Sequence, residues 1–173
     1  MSPEIPSLRT LIVAAAGYPV DAMHAALAQA GCDIVAASAL DAGVGARIAQ
    51  LRPDLIVLGA ASGAGRQAAK VVQACASERR PVVVLTADDS AASIDEATAA
   101  GVAAYVLGGL EPGRIKGVLG VALARFRQQE KLLGELSGAH NKLAERKVID
   151  RAKGILMARH NMGEDEAYQK MRS

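Results

Sequence analysis

The chain has 173 residues, 51% of them hydrophobic, and a formal net charge of +2. That is enough apolar material for one ordinary domain plus a smaller appendage, and it excludes wholesale disorder. No apolar run approaches the roughly 18–20 residues of a membrane span, and the opening MSPEIPSLRT lacks a basic-then-apolar signal pattern, so a cytoplasmic protein is expected. The charge is unevenly spread: residues 1–110 hold 7 Lys+Arg against 10 Asp+Glu, whereas residues 111–173 hold 13 against 8. A mildly acidic part followed by a basic one implies two jobs, and the basic part is the candidate for a polyanionic partner. Cys32 and Cys75 have no partner motif and read as free thiols, and His24, His140 and His160 are scattered, so neither a metal nor a cofactor is expected.

In chain order, Leu11–Ala14 reads as a buried strand and Val20–Ala30 as a helix ended by Gly31. Ile34–Ala36 is a second strand. Asp41–Leu51 is a second helix with Asp41 as its N-cap, and Pro53-Asp54 leads into a third strand, Leu55–Leu58. The loop Gly59–Gly65 opens a helix that runs to about Ser77. It lacks the Gly-Lys-Ser/Thr ending of a phosphate-binding loop, so a plain connection is expected. Val82–Leu85 is a fourth strand, Ser90 or Ala91 to Ala100 a helix stopped by Gly101, and Ala103–Leu107 a fifth strand. The strands are short and almost uniformly apolar, as strands buried on both faces are. Five β-α units predict a flavodoxin-like, doubly wound, five-stranded parallel sheet in an α/β domain over residues 1–111.

From Pro112 no breaker other than isolated Gly appears until Asn161, which predicts a helix of about 45 residues, roughly 65–70 Å long at 1.5 Å per residue. Apolar or neutral residues recur at Ile115, Val118, Ala122, Phe126, Gln129, Leu133, Leu136, His140 and Leu143, close to a heptad seam. Residues 112–141 are therefore expected to form a coiled-coil helix that makes a homodimer; a helix folded back on its own domain is the alternative. Further on, KLAERKVIDRAKGILMAR (142–159) carries six basic residues against Glu145 and Asp150. At 100° per residue, Val148, Ile149, Ala152, Ile155 and Leu156 share one arc and should face a core, with Lys147 and Arg151 opposite. Small residues among cations allow close approach to a polyanion, and the near absence of aromatic residues argues against base-stacking platforms. A solvated helix face is the alternative on charge alone.

The first five units resemble a receiver domain, judging from Leu11-Ile12-Val13, Pro53-Asp54-Leu55-Ile56-Val57-Leu58, Val82-Val83-Val84-Leu85-Thr86 and Ala103-Ala104-Tyr105-Val106. A receiver needs acidic residues after its first strand to hold Mg²⁺ and an aspartate ending the third as phosphoacceptor. Here those positions are Ala14, Ala15 and Gly59; the lysine expected after the fifth strand falls near Gly108, and only Thr86 matches. The resemblance therefore implies a pseudo-receiver with a degenerate phosphorylation pocket. Asp54 should not reach that pocket, and no rescue role is expected of Asp88 or Asp89.

Arg151-Ala152-Lys153-Gly154-Ile155-Leu156-Met157-Ala158-Arg159-His160, followed by Met162-Gly163-Glu164-Asp165-Glu166-Ala167-Tyr168, resembles the ANTAR domain. That resemblance implies a small all-α RNA-binding domain, here residues 142–173 and partial, since the chain as given reaches Ser173 before a third helix. It implies a transcription antitermination regulator that binds hairpins in nascent leader RNA, with Arg146, Lys147, Arg151, Lys153, Gly154 and Arg159 as contacts. The degenerate pocket is similar to the nitrate-responsive and amide-responsive branches, in which a ligand-sensing protein sequesters the regulator. No enzyme is expected, since no nucleophile and base converge. The alternative is a dimeric pseudo-receiver acting only as a protein-interaction module.

Overall fold

The computed structural model describes residues 7–108 and 111–172; the Met1–Pro6 part of the N-terminal stretch read above lies outside them. Eleven elements follow in order: β1 (Leu8–Ala14), α1 (Val20–Gln29), β2 (Cys32–Ala39), α2 (Val44–Leu51), β3 (Leu55–Ala60), α3 (Ala64–Ala74), β4 (Val82–Thr86), α4 (Ala91–Ala100), β5 (Ala104–Leu107), α5 (Pro112–His160) and α6 (Glu164–Arg172). The chain divides into two compact units, residues 1–126 and 127–173.

In the first unit the strands form one parallel sheet in the order β2-β1-β3-β4-β5. The uniformly apolar β3 and β4 are buried along their whole length, because helices cover both faces. Alternate side chains feed two cores. Leu11, Val13, Ile56, Leu58 and Val84 meet Val44 and Ile48 of α2 and Ala68 and Val71 of α3. Ile12, Leu55, Val57, Val83 and Leu85 meet Met23 and Leu27 of α1 and Ile115, Leu119 and Leu123 of α5. Truncating a fully buried residue such as Leu27 to alanine costs about 2–5 kcal/mol. Ile115 and Ala122, and Val118 beside them, thus belong to this core, so the seam read from the sequence begins as core packing.

Several boundaries differ from expectation. β2 is eight residues long rather than three; as an edge strand only partly buried, it mixes apolar and small polar residues, which hides its extent in sequence. Gly59 belongs to β3 and not to the following loop. Asp41 does not cap α2: the helix starts at Val44, and the Asp41 carboxylate accepts from the Gly43 amide at 2.8 Å and pairs with Arg47. Those donors hold the Asp41 carboxyl below its ordinary range, Arg47 foremost. α4 starts at Ala91, the later of the two starts read for it, and Ser90 caps it, accepting from the Ser93 amide.

In the second unit α5 ends at His160, and Asn161 adopts a left-handed backbone (φ 49°), one of the few residues that does so at low cost. The Gly163 amide donates to Glu166 Oε2 at 3.4 Å, and three acidic residues open α6 while Lys170 and Arg172 close it, as the helix dipole favours. Ala167 is fully buried. Ala152, Lys153, Leu156 and Met162 are partly covered. The expected core arc is only half realised: Val148 is 68% exposed, Ile155 51% and Ile149 40%. α6 is a single nine-residue helix and covers one side of the arc.

Candidate functional site

The parallel register gathers the strand ends at one edge of the sheet, which is where open α/β sheets carry their sites. Ala14 lies beside Gly59, Ala60 beside Thr86, and Thr86 beside Leu107, with Gly108 next in chain. The Ala15 amide donates to the Gly59 carbonyl at 2.8 Å, and the Gly108 amide to that of Thr86 at 3.3 Å. The structure thus brings together Ala14, Ala15, Gly59, Thr86 and Gly108. Alanine and glycine supply neither a nucleophile nor a metal ligand, so an aspartyl phosphate cannot form at position 59.

The space over Gly59 is filled by Tyr18. A Cβ at Gly59 would collide with Cδ1 and Cε1 of the ring and lie 3.0 Å from Cγ. Tyr18 is partly buried, and that burial raises its phenol pKa above the ordinary value. Sequence reasoning missed this side chain. The available signal was a glycine inside a strand, which marks close approach by another group.

Asp88 is structural. Its Oδ1 accepts from the Ser90 amide (3.1 Å) and hydroxyl (2.7 Å), and its Oδ2 from the Ser93 hydroxyl (2.8 Å) and the Ala64 amide (3.3 Å). These donors, the two hydroxyls first, pull its pKa well below the usual carboxylate range. The Asp88 amide donates to Thr86 Oγ1 at 3.0 Å and Tyr105 Oη donates to the Asp88 carbonyl at 2.7 Å, so the one side chain that matches a receiver pocket is tied to the loop after it. Asp54 lies at the opposite end of β1, where it accepts from the Arg9 amide. Burial pushes the Cys75 thiol up to about 11, and it raises that of Cys32 too, so both are poor nucleophiles at neutral pH.

On the ANTAR-like stretch of α5, Lys147, Arg151, Gly154 and Ala158 fall within about 60° of arc at 100° per residue. Lys147, Arg151 and Gly154 are exposed, and Lys147 and Arg151 have no ion-pair partner among the described residues. A Cβ on Gly154 would meet nothing within 4 Å, so packing inside the chain does not call for glycine there. Arg146 and Arg159 are also exposed and have no ion-pair partner among the described residues, but lie off this arc. Lys153 differs. Its ammonium donates to Glu164 Oε1 at 3.0 Å, lies 3.7 Å from Asp150 Oδ1 and 5.9 Å from the Tyr168 ring centre, and its side chain is 18% exposed. The Glu164 bond, above all, raises its pKa. Lys153 therefore pins α6 to the end of α5, a role that its i+11 partner kept out of sight in the sequence.

Residues 138–173 match the ANTAR domain model. The chain is 31% identical over 119 residues to Transcriptional regulatory protein PdtaR of Mycobacterium tuberculosis, in strains CDC 1551 / Oshkosh and ATCC 25618 / H37Rv. That match takes in 68% of this chain but only 58% of the relatives' length. Among solved structures it is similar to the signal receiver domain of the response regulator NarL from Mycobacterium tuberculosis (TM-score 0.52, 23% identity, 68% of this chain and 98% of that one). It is also similar to the signal receiver domain of a modulated diguanylate cyclase from Desulfovibrio desulfuricans G20 (TM-score 0.54, 17% identity, 71% and 99%). At those identities the likeness is one of fold. The chain therefore carries a domain with the signal-receiver fold followed, at the end of a long helix, by an ANTAR domain.

Proposed function

We propose that this chain is an RNA-binding transcription antitermination regulator whose ANTAR segment engages hairpins in nascent leader RNA. The observation that carries the reading is the unpaired face of Lys147 and Arg151 around Gly154. Two exposed cations without an ion-pair partner among the described residues share a helix face with Gly154, in the basic second part of the chain. Phosphate contacts then come from Lys147, Arg151 and, at the edges, Arg146 and Arg159, and glycine lets the RNA backbone sit close. Lys153 joins the contact set only by exchanging Glu164 for a phosphate. Control comes from a partner protein docking on the receiver-fold domain, since position 59 has no carboxylate to modify. The exposed Leu133, Leu136 and Leu143 on α5 support a homodimer through that helix.

The test is an anisotropy titration with a two-hairpin leader RNA and a loop-scrambled control at about 150 mM salt, where non-specific binding is weak. Saturable, loop-dependent binding is expected, and Lys147→Ala/Arg151→Ala should weaken it by about 1–3 kcal/mol per lost contact. Binding that the double variant leaves unchanged would refute the contact set. The engagement of Lys153 within the chain favours a second reading, a protein-interaction module with a solvated basic helix, which predicts no saturable RNA binding at this salt.

A further inference from the structure

We propose that the first unit binds a phosphorylated small molecule of nucleotide size in a cleft at the C-terminal edge of its sheet. The strand order reverses between β1 and β3, the place where loops diverge and leave a crevice in doubly wound folds. A cleft of about 870 Å³ lies beside this point, between the loops that follow β1, β2 and β3. That size suits a whole small-molecule ligand. Of the five strand-end positions discussed above it touches Ala15 alone, so it is a separate site.

The argument rests on the charges that line it. Arg66 and Lys70 of α3 both face the cleft, four residues apart on one side of the helix. Like charges at that spacing repel and cost a few tenths of a kcal/mol when nothing sits between them. Neither has an ion-pair partner among the described residues, and both are exposed. Three other cations of the same unit are engaged: Arg47 by Asp41, Arg80 by Glu78, and Arg9 by the Leu51 and Arg52 carbonyls. Two acidic groups border the cleft. Asp41 is neutralised by Arg47, which leaves Glu96 against the two free cations. A local positive excess therefore stands in the half of the sequence with the acidic balance.

The lining also has an apolar part, to which Ala15, Ala16 and Leu40 contribute. A ligand that suits both parts of the lining has an anionic end and a less polar body. The guanidinium of Arg66 offers forked donors that match phosphate oxygens, and Lys70 adds a point charge. A carboxylate fits that fork as well, but the two cations together match the higher charge of a diphosphate. The site needs no RNA and no third helix, so it stands apart from the antitermination reading.

The experiment is isothermal titration of the full chain, without RNA, with adenosine diphosphate, guanosine diphosphate and inorganic pyrophosphate at about 50 mM salt, where surface charge is weakly screened. At least one diphosphate nucleotide should bind with one site per chain and more tightly than pyrophosphate, which lacks the less polar body. Arg66→Gln/Lys70→Gln should weaken it by at least about tenfold with the circular dichroism unchanged. Lys147→Ala/Arg151→Ala should leave it unaltered, which separates this site from the basic helix. No saturable binding by any of the three, or binding that survives Arg66→Gln/Lys70→Gln, overturns the proposal. Loss of binding with Lys147→Ala/Arg151→Ala overturns it too and moves the ligand to the ANTAR segment. Equal affinity for pyrophosphate removes the apolar part of the lining from the site and overturns the nucleotide-sized ligand.

Discussion

Placing a single methyl group on Gly59 tests how the strand-end edge is built. The added Cβ collides with the Tyr18 ring, and the surrounding strands β1, β3 and β4 are too tightly buried to yield, so the ring must swing out. An aromatic side chain offers roughly 150–250 Å² to burial. Tyr18 is partly buried, so about 100 Å² is at stake, or ~2.5 kcal/mol at ~25 cal/mol per Å². Overpacking a core gives a similar range, about 1–3 kcal/mol. Gly59→Ala should therefore lose about that much, measured by urea unfolding and by hydrogen exchange at the β1 and β3 amides, which report on the first unit alone. In a Tyr18→Ala background the same substitution meets no ring. It should then be neutral, or stabilising by about 0.4–1 kcal/mol through a stiffer unfolded chain. The coupling in this double-mutant cycle is expected to exceed about 1 kcal/mol. An identical cost for Gly59→Ala with and without Tyr18 would refute the reasoning.

Gly65→Ala drives a Cβ into the Ser93 carbonyl and to 2.8 Å from Glu96 Cβ, so α3 and α4 must part; a loss of about 1–3 kcal/mol in urea unfolding is expected. Asp88→Asn should be less stable than the parent at neutral pH. The folded-state pKa of Asp88 is depressed, so its contribution is present above the unfolded value near 4 and fades as pH falls through the folded one; the gap in an acid titration should close below about pH 4. Glu164→Gln frees Lys153 and should speed amide exchange across α6 at neutral pH. Because the Lys153 pKa is raised, the parent itself should loosen in the same way as pH climbs past about 10.4.

The first unit was legible because its code is local and redundant. Runs such as Leu55–Leu58 and Val82–Leu85 announce strands buried on both faces, and helix ends such as Ser90 and Gly101 carry their own chemistry. What escaped depends on contacts distant in sequence. The pairing of Asp41 with Arg47 looks like a helix cap until the helix start is known. The Tyr18 ring reaches a glycine 41 positions away. Half-burial at the sheet edge hid five residues of β2. In the ANTAR segment the arc of Val148, Ile149 and Ile155 was read as core because periodicity reports an apolar face and not whether one nine-residue helix is wide enough to cover it. Lys153 read as one more cation because its partner lies on another helix.

The fit of Tyr18 over Gly59 also orders the routes open to the sequence under mutation. Any residue larger than glycine at 59 is penalised while the tyrosine remains, and a smaller residue at 18 forfeits the burial of the ring over glycine. A lineage acquiring a carboxylate at 59 therefore loses stability at either first step, by crowding the ring or by losing it. The coupling between the two sites is mutual, so surveys that alter one position at a time will assign to the glycine a penalty that belongs to the pair.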